Sequence, residues 1–263
     1  MKKIEEKLQI LVSTMNQDDK SLIKRMNIHS DAINQTDSFS KETWNENGNN
    51  FEWYNLEERG VGLSRNNALL RATGNILLFA DDDVRYIDNY EKIIQTEFEK
   101  RKDAELILFN VESTNKNRPE YIDQKFHKVH FYNYLRYGTF RIAVKKNSIR
   151  KHNISFSLLF GGGSKYSSGE DSLFLTECLK KNMKIYASEQ QIGYVDHRES
   201  TWFKNYDEKY FYDKGALFSA ISRRFSMALC LQYCIRHKEV CKELGLKQAY
   251  KSMLKGLREY ERW

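Results

Sequence analysis

One proline in 263 residues, four cysteines without a CxxC pair and no long apolar run narrow this sequence before any motif is read. The proline, Pro119, falls in an irregular, aromatic-rich stretch over 111–137. No apolar run approaches a membrane span. The charged start Met1–Lys7 is followed by a segment too short and too polar for a secretory signal. Cys178, Cys230, Cys234 and Cys241 read as reduced cytosolic thiols, and the lack of paired His/Cys spacing argues against a zinc site. The run Gly161-Gly162-Gly163 fits neither the GxxxxGK[ST] nor the GxGxxG phosphate cradle. It reads as a flexible loop that lets a substrate come close.

Charge is unevenly placed. From Lys214 to Trp263 there are eleven Lys and Arg against four Glu and no Asp, which accounts for the whole net charge of +7. Residues 1–213 balance 32 basic against 32 acidic side chains. The main body therefore lacks the electrostatic footprint of a nucleic-acid binder. The expected organisation is a catalytic domain over 1–213 and a basic helical extension over 214–263.

Periodicity gives an α/β chain. Strands are expected at 8–13, weakly near Ala32-Ile33, and at 51–56, 76–79, 106–109, 140–144 and 184–187. Helices are expected at 21–26, 63–72, 90–101 and 171–181, and from Gly215 onward. Ser38 to Asn50 is polar and Asn-rich and reads as a loop. The alternation implies a largely parallel, Rossmann-like sheet flanked by helices.

What carries chemistry is acidic. Asp81-Asp82-Asp83 ends the apolar run Ile76–Ala80, and ligands of open α/β sheets bind at the carboxyl ends of strands. One such Asp would suit a helix cap, but three in a row repel one another. A hard cation such as Mn²⁺ or Mg²⁺ relieves that repulsion and can hold a phosphate. Gly169-Glu170-Asp171 places two carboxylates at a helix start, either as caps or with one as a general base. Gly62-Leu63-Ser64-Arg65-Asn66-Asn67 opens a helix. It is either a solvated helix start or a polar patch facing a nucleotide. His197, after Asp196, is a candidate metal ligand beside an acidic site. Trp202 lies in an aromatic cluster that packs by default, though an indole face can also cover a sugar ring.

Taken together, Leu8–Asn16, Gly62-x-Ser64-Arg65-Asn66, Ile76–Asp83 and Gly169-Glu170-Asp171 resemble family 2 glycosyltransferases of the GT-A fold over about residues 8–200. The resemblance extends to bacterial capsule and cell-wall glycan transferases. It implies a nucleotide-sugar donor, most commonly a UDP-sugar, a Mn²⁺ or Mg²⁺ ion and inversion at the anomeric carbon. Asp83 becomes the direct metal ligand and Asp81 lies near the ribose; Asp81 and, on its residue chemistry alone, His197 are the further candidate metal ligands. Ser13, Thr14, Asn16, Asp37, Arg65, Asn66, Asp81 and Asp82 become donor-binding residues. Asp171 becomes the base, and Gly162, Gly163, Glu170 and Trp202 border a glycan or lipid-linked acceptor. The sequence departs from the family twice, with Ser13-Thr14-Met15-Asn16 in place of Pro-x-x-Asn and Asn34-Gln35-Thr36-Asp37 in place of a strand-end Asp-Asp. A metal-dependent nucleotidyltransferase and a non-catalytic glycan-binding module are the competing readings. The expected setting is cytoplasmic, with the basic tail either packed in the fold or docked on the anionic inner face of the cell membrane.

Overall fold

The computed structural model describes residues 7–197 and 205–262. The first half runs β1 (Leu8–Met15), α1 (Ser21–Lys24), β2 (Ser30–Thr36), β3 (Ser40–Glu46), β4 (Asn49–Glu57), α2 (Val61–Arg71), β5 (Ile76–Asp81), β6 (Val84–Tyr86) and α3 (Tyr90–Lys100). There follow β7 (Leu106–Ser113), β8 (His127–Lys128), a 3₁₀ turn (Thr139–Arg141), β9 (Ile142–Lys145), α4 (Lys146–His152), α5 (Glu170–Lys180) and β10 (Ile185–Val195). Three helices close the chain: α6 (Glu208–Ile221), α7 (Ser226–Arg236) and α8 (Leu246–Glu261).

The strands form one sheet in the order β3-β4-β2-β1-β5-β9-β7-β10-β6, with β8 beside β10. β1, β2, β4, β5, β7 and β10 run one way, and the shorter or peripheral β3, β6, β8 and β9 run against them. The expected parallel core is present. β1 and β5 are apolar and buried on both faces, as central parallel strands are. One apolar cluster fills each side of the sheet, one around Ile10, Leu78 and Phe109 and the other around Leu11, Phe79 and Phe174.

Two segments differ from their expected form. Ser40–Glu46 is a strand, not a loop, and pairs antiparallel with β4. Its turn is Asn47-Gly48, with φ of 53° and 79°, the two left-handed residues that a tight hairpin requires. β2 is a full, buried strand. Its buried Ser30, Asp31, Asn34 and Gln35 interrupt the apolar signal that would have announced it.

The irregular stretch between β7 and β9 is held by one buried cation. Arg141 is fully buried and donates to the carbonyls of Phe109 (2.7 Å) and Tyr121 (2.6 Å) and to Asn110 Oδ1 (2.8 Å). It also faces Asp123 at 3.3 Å, and Asp123 accepts from Tyr137 and meets His127.

The C-terminal helices share an apolar cluster with Phe160 and Tyr166 of the glycine loop. The 213/214 division falls inside α6. Asp213 is buried and accepts from Ser167 N (2.9 Å) and Ser167 Oγ (2.8 Å), which fastens the glycine loop to that helix. α6 and α8 cross almost backbone to backbone. A Cβ on Gly256 would lie 1.9 Å from the Tyr212 carbonyl oxygen, and one on Gly215 would lie 1.9 Å from that of Met253. Ala normally stabilises a helix over Gly by about 1 kcal/mol. Here the added methyl has no room, and overpacking costs about 1–3 kcal/mol. Gly256→Ala should therefore lower the melting temperature measured by circular dichroism, and a rise would contradict this crossing.

Candidate active site

Strand register builds the site. Ser13 of β1 pairs with Asp81 of β5, and Thr14 pairs with Asn34 of β2. The polar ends of three parallel strands therefore meet at one sheet edge. Thr14 Oγ1 donates to Asp82 Oδ2 at 2.8 Å, and Gln17 Nε2 reaches the same oxygen at 3.4 Å. Asn34 holds the loop after β1 from both sides, accepting from Gln17 N (3.1 Å) and donating to its carbonyl (2.8 Å).

Arg65 ties this edge to the second acidic motif. It stands on α2, 4 % exposed, with Phe156 beneath its guanidinium at 5.5 Å. Its two terminal nitrogens donate at 2.8 Å to Asp81 Oδ1 and at 2.8 Å to Glu170 Oε1. Burial opposes its charge, but the two carboxylates outweigh burial and hold the guanidinium above its ordinary value. Arg65, expected to face a base or phosphate, here faces two protein carboxylates. Glu170, expected at the acceptor, accepts from Arg65 through one oxygen and packs so closely on Gly161 that a Cβ there would meet it at 2.8 Å.

Asp171 follows one residue on, in the first turn of α5. Gly169, at φ 110° and against Leu217 of α6, turns the loop into α5 and sets both carboxylates in its first turn. Asp171 Oδ1 accepts from Ser172 N at 2.6 Å. Burial, and then the neighbouring Glu170 charge, push its carboxyl up to about 6 against the pull of Ser172, Arg65 and Lys214. A carboxylate of that basicity is ionised at neutral pH yet accepts a proton better than an ordinary Asp. Lys214 enters from α6, its charged form disfavoured by burial and favoured by Asp171, Glu170 and Asp213.

Asp83 is the least settled of the three consecutive carboxylates. Burial, then Asp81 and Asp82, push it up to about 6, with His197 pulling the other way. Among the described residues, no group of three or more His, Cys, Asp or Glu side chains is arranged around a metal position. The donor set nevertheless fits a hard cation bound through one or two carboxylates together with substrate phosphates. Asp83 carries like-charge repulsion that His197 only partly offsets, and Asp81 offers Arg65 only one of its two oxygens. His197 Nε2 is engaged with Glu120 Oε1 at 2.8 Å.

The remaining expected residues divide. Ser13 Oγ accepts from Ser64 Oγ at 3.1 Å inside the edge, and Asn16 sits exposed at φ 51° where β1 ends. Asp37 lies outside the cluster, exposed and paired with Arg59. Asn66 also points elsewhere. Its amide brackets the Phe156 backbone, donating at 2.9 Å and accepting at 2.8 Å. Gly162 and Gly163 lie against the start of α2, where Val61 N donates to the Gly162 carbonyl at 2.9 Å. Trp202 falls outside the described residues. Gln17, Asn34 and Lys214 were not anticipated as site residues. The polar run after β1 could have flagged the first two, whereas nothing local marks Lys214.

Fold and edge chemistry together define a GT-A-type α/β protein. No family model matches the chain, and no curated protein matches it. Solved structures do, among them several of TarS from S. aureus. Residues 1–349 of that protein superpose with a TM-score of 0.59 at 13% identity, covering 97% of this chain and 91% of that one. The complex with UDP-GlcNAc gives 0.62 at 14% identity, covering 97% and 92%, and the complex with UDP gives 0.57 at 14%, covering 97% and 90%.

Removing one partner of a buried ion pair costs about 3–5 kcal/mol, because it strands the charges left behind. Arg65→Met should accordingly destabilise the chain by about that amount in urea unfolding at pH 7. A change below about 1 kcal/mol, the range of exposed pairs, would mean that Arg65 is not the buried tie.

Proposed function

We propose that this chain is a nucleotide-sugar-dependent glycosyltransferase. In this reading it moves a glycosyl unit from a uridine diphosphate sugar to an acceptor hydroxyl, with inversion, in surface-glycan synthesis. The observation that carries the reading is the Arg65 bridge. It fixes an acidic strand end, suited to a metal-bound diphosphate, beside a carboxylate of raised basicity. The fold shared with TarS, solved with UDP-GlcNAc and with UDP, supports the choice of donor.

Thr14, Gln17 and Asn34 shape the donor edge, and Arg65 holds Asp81 in place. Asp83 and Asp81 would hold Mn²⁺ or Mg²⁺, which supplies positive charge for the departing diphosphate. Asp171 removes the proton from the acceptor hydroxyl as its oxygen forms the new bond and the diphosphate leaves. Lys214 favours the ionised form of Asp171 before the proton arrives.

The test is release of free UDP from a panel of UDP-sugars with Mn²⁺ and an acceptor mixture, with and without EDTA. Asp171→Asn should lower transfer by about 10²–10⁴-fold while donor binding survives. In the parent chain kcat/KM should fall as pH drops through about 6, where Asp171 takes up a proton, and the variant should lose that limb. Release of pyrophosphate from nucleoside triphosphates would instead make it a nucleotidyltransferase. Equal loss of donor binding and rate in Asp171→Asn would make Asp171 a structural cap.

The same reading includes peripheral docking on an anionic membrane. Among the described residues, no helix is long and apolar enough to cross one. The cationic face expected on the tail exists on α8, where Lys247, Lys251, Lys255 and Arg258 are exposed opposite buried Ala249, Met253 and Leu257. The better contact surface is α7. Met227, Leu231 and Ile235 form an exposed apolar stripe at four-residue spacing, with Phe225, Arg223 and Arg224 at its start. Leu231→Glu should abolish co-sedimentation of the full chain with phosphatidylglycerol vesicles at low salt. A parent chain that stays in the supernatant would refute docking.

A further inference from the structure

A row of polar side chains crosses the sheet at one level. Thr14 of β1 pairs with Asn34 of β2, Asn34 with Asn55 of β4, and Asn55 with Ser40 of β3. Paired residues of neighbouring strands share a face, so their side chains can meet. Ser40 Oγ accepts from Asn55 Nδ2 at 2.8 Å, and Asn55 Oδ1 accepts from Asn34 Nδ2 at 2.8 Å. Asn34 in turn grips the Gln17 peptide from both sides. Gln17 Nε2 and Thr14 Oγ1 both end on Asp82 Oδ2. The row thus links the β3 hairpin, at the outer edge of the sheet, to the acidic strand end.

Each amide in the row has one permitted orientation. The buried Trp53 indole donates to Asn55 Oδ1 at 2.9 Å, and an indole N–H cannot accept. Asn55 therefore presents its oxygen to Trp53 and Asn34 together, and its nitrogen to Ser40. Asn34 must meet that oxygen with its own nitrogen, whose second hydrogen goes to the Gln17 carbonyl. Its oxygen is then set for the Gln17 N–H. A buried polar network with every member satisfied is rigid, whereas losing one acceptor strands the donors aimed at it. Asn55 is the acceptor on which two such donors converge. An ion pair between Lys20 and Glu42 of β3 ties the far end of the same loop, but it is exposed and contributes little.

We infer that Asn55 is a positioning residue for the donor edge: it fixes Asn34, and through it the loop over 16–20, in the arrangement that sets Gln17 against Asp82. It acts through Asn34 and Gln17. Its consequence for donor affinity rests on the glycosyltransferase reading. Its hold on the loop rests on the hydrogen bonds alone.

Two variants of the full chain test this. Asn55→Leu keeps the size and loses the acceptor. Asn55→Asp keeps the acceptor, and Ser40 Oγ can turn to donate to it. The added charge stands three strands from β5, roughly 14 Å at ordinary strand spacing. That exceeds the screening length of about 8 Å at 0.15 M salt. Amide hydrogen exchange at Gln17 is followed by NMR, and UDP with Mn²⁺ is titrated by calorimetry, at a temperature where circular dichroism shows each chain folded. In Asn55→Leu the Gln17 amide should exchange roughly tenfold faster and UDP should bind roughly tenfold more weakly. The loss should fall on the donor KM, with kcat at saturating donor within about twofold of the parent. Asn55→Asp should stay within about threefold of the parent in exchange and in UDP affinity. Asn55 is half-buried, so the fold should persist. If Asn55→Leu does not fold, Asn55→Ser, whose hydroxyl falls short of Asn34, repeats the test. Glu42→Gln, which removes the exposed pair on the same hairpin, should change neither readout. Unchanged exchange in Asn55→Leu, equal losses in the Leu and Asp variants, or an equal effect of Glu42→Gln would overturn the inference. Faster exchange with unchanged UDP affinity would overturn the role in donor positioning. Faster exchange in Asn55→Leu, from a parent chain that binds no UDP, would refute the donor reading and leave the hold on the loop standing.

Discussion

A single buried guanidinium sets the spacing on which this site depends. Arg65 is placed by α2 and reaches two carboxylates from distant parts of the chain, Asp81 at the end of β5 and Glu170 at the start of α5. Ion pairs of this kind add little net stability over a well-packed apolar core, because burying three charges is costly. What they add is geometry. With both forks committed, the strand end and the helix start cannot drift apart without stranding a charge. Asp171 is held one residue from the Glu170 that Arg65 fixes, and its basicity is raised first by burial and then by the Glu170 charge. The cost of that arrangement is visible in Arg65 Nε, buried without a partner.

The C-terminal helices complete the same device from behind. α6 fastens the glycine loop through Asp213 and Ser167, presses Leu217 against Gly169 and presents Lys214 to the acidic pair. α8 in turn locks α6 by a crossing with no room for a side chain. The basic tail is therefore part of the support of the site. Part of its surplus charge lies on an exposed face of α8, at Lys247, Lys251, Lys255 and Arg258.

Much of this was legible in the sequence, and the limits are physical. β5 announces itself because Ile76–Ala80 is continuous and apolar, and three adjacent carboxylates are anomalous in any local structure. β2 was faint because buried polar residues replace half of its apolar signal, and each needs a partner that only the fold supplies. The β3 hairpin was hidden in a polar stretch, although Asn47-Gly48 was its one local mark. The Arg65 bridge was not legible because its second carboxylate lies 105 residues away, beyond any periodicity. The Asn66 contact was hidden for the same reason, since its partner, the Phe156 backbone, is 90 residues distant.

The central claim is that the acidic strand end receives the donor diphosphate while Arg65 keeps Asp171 facing the sugar. The most direct measurement is a crystal structure of the full chain with Mn²⁺ and an unreactive UDP-sugar analogue. The account predicts the diphosphate and metal at Asp81 and Asp83, the anomeric carbon turned toward Asp171, and Arg65 still bridging Asp81 and Glu170. A donor bound elsewhere, or an Arg65 that leaves both carboxylates to grip the phosphates, would contradict it.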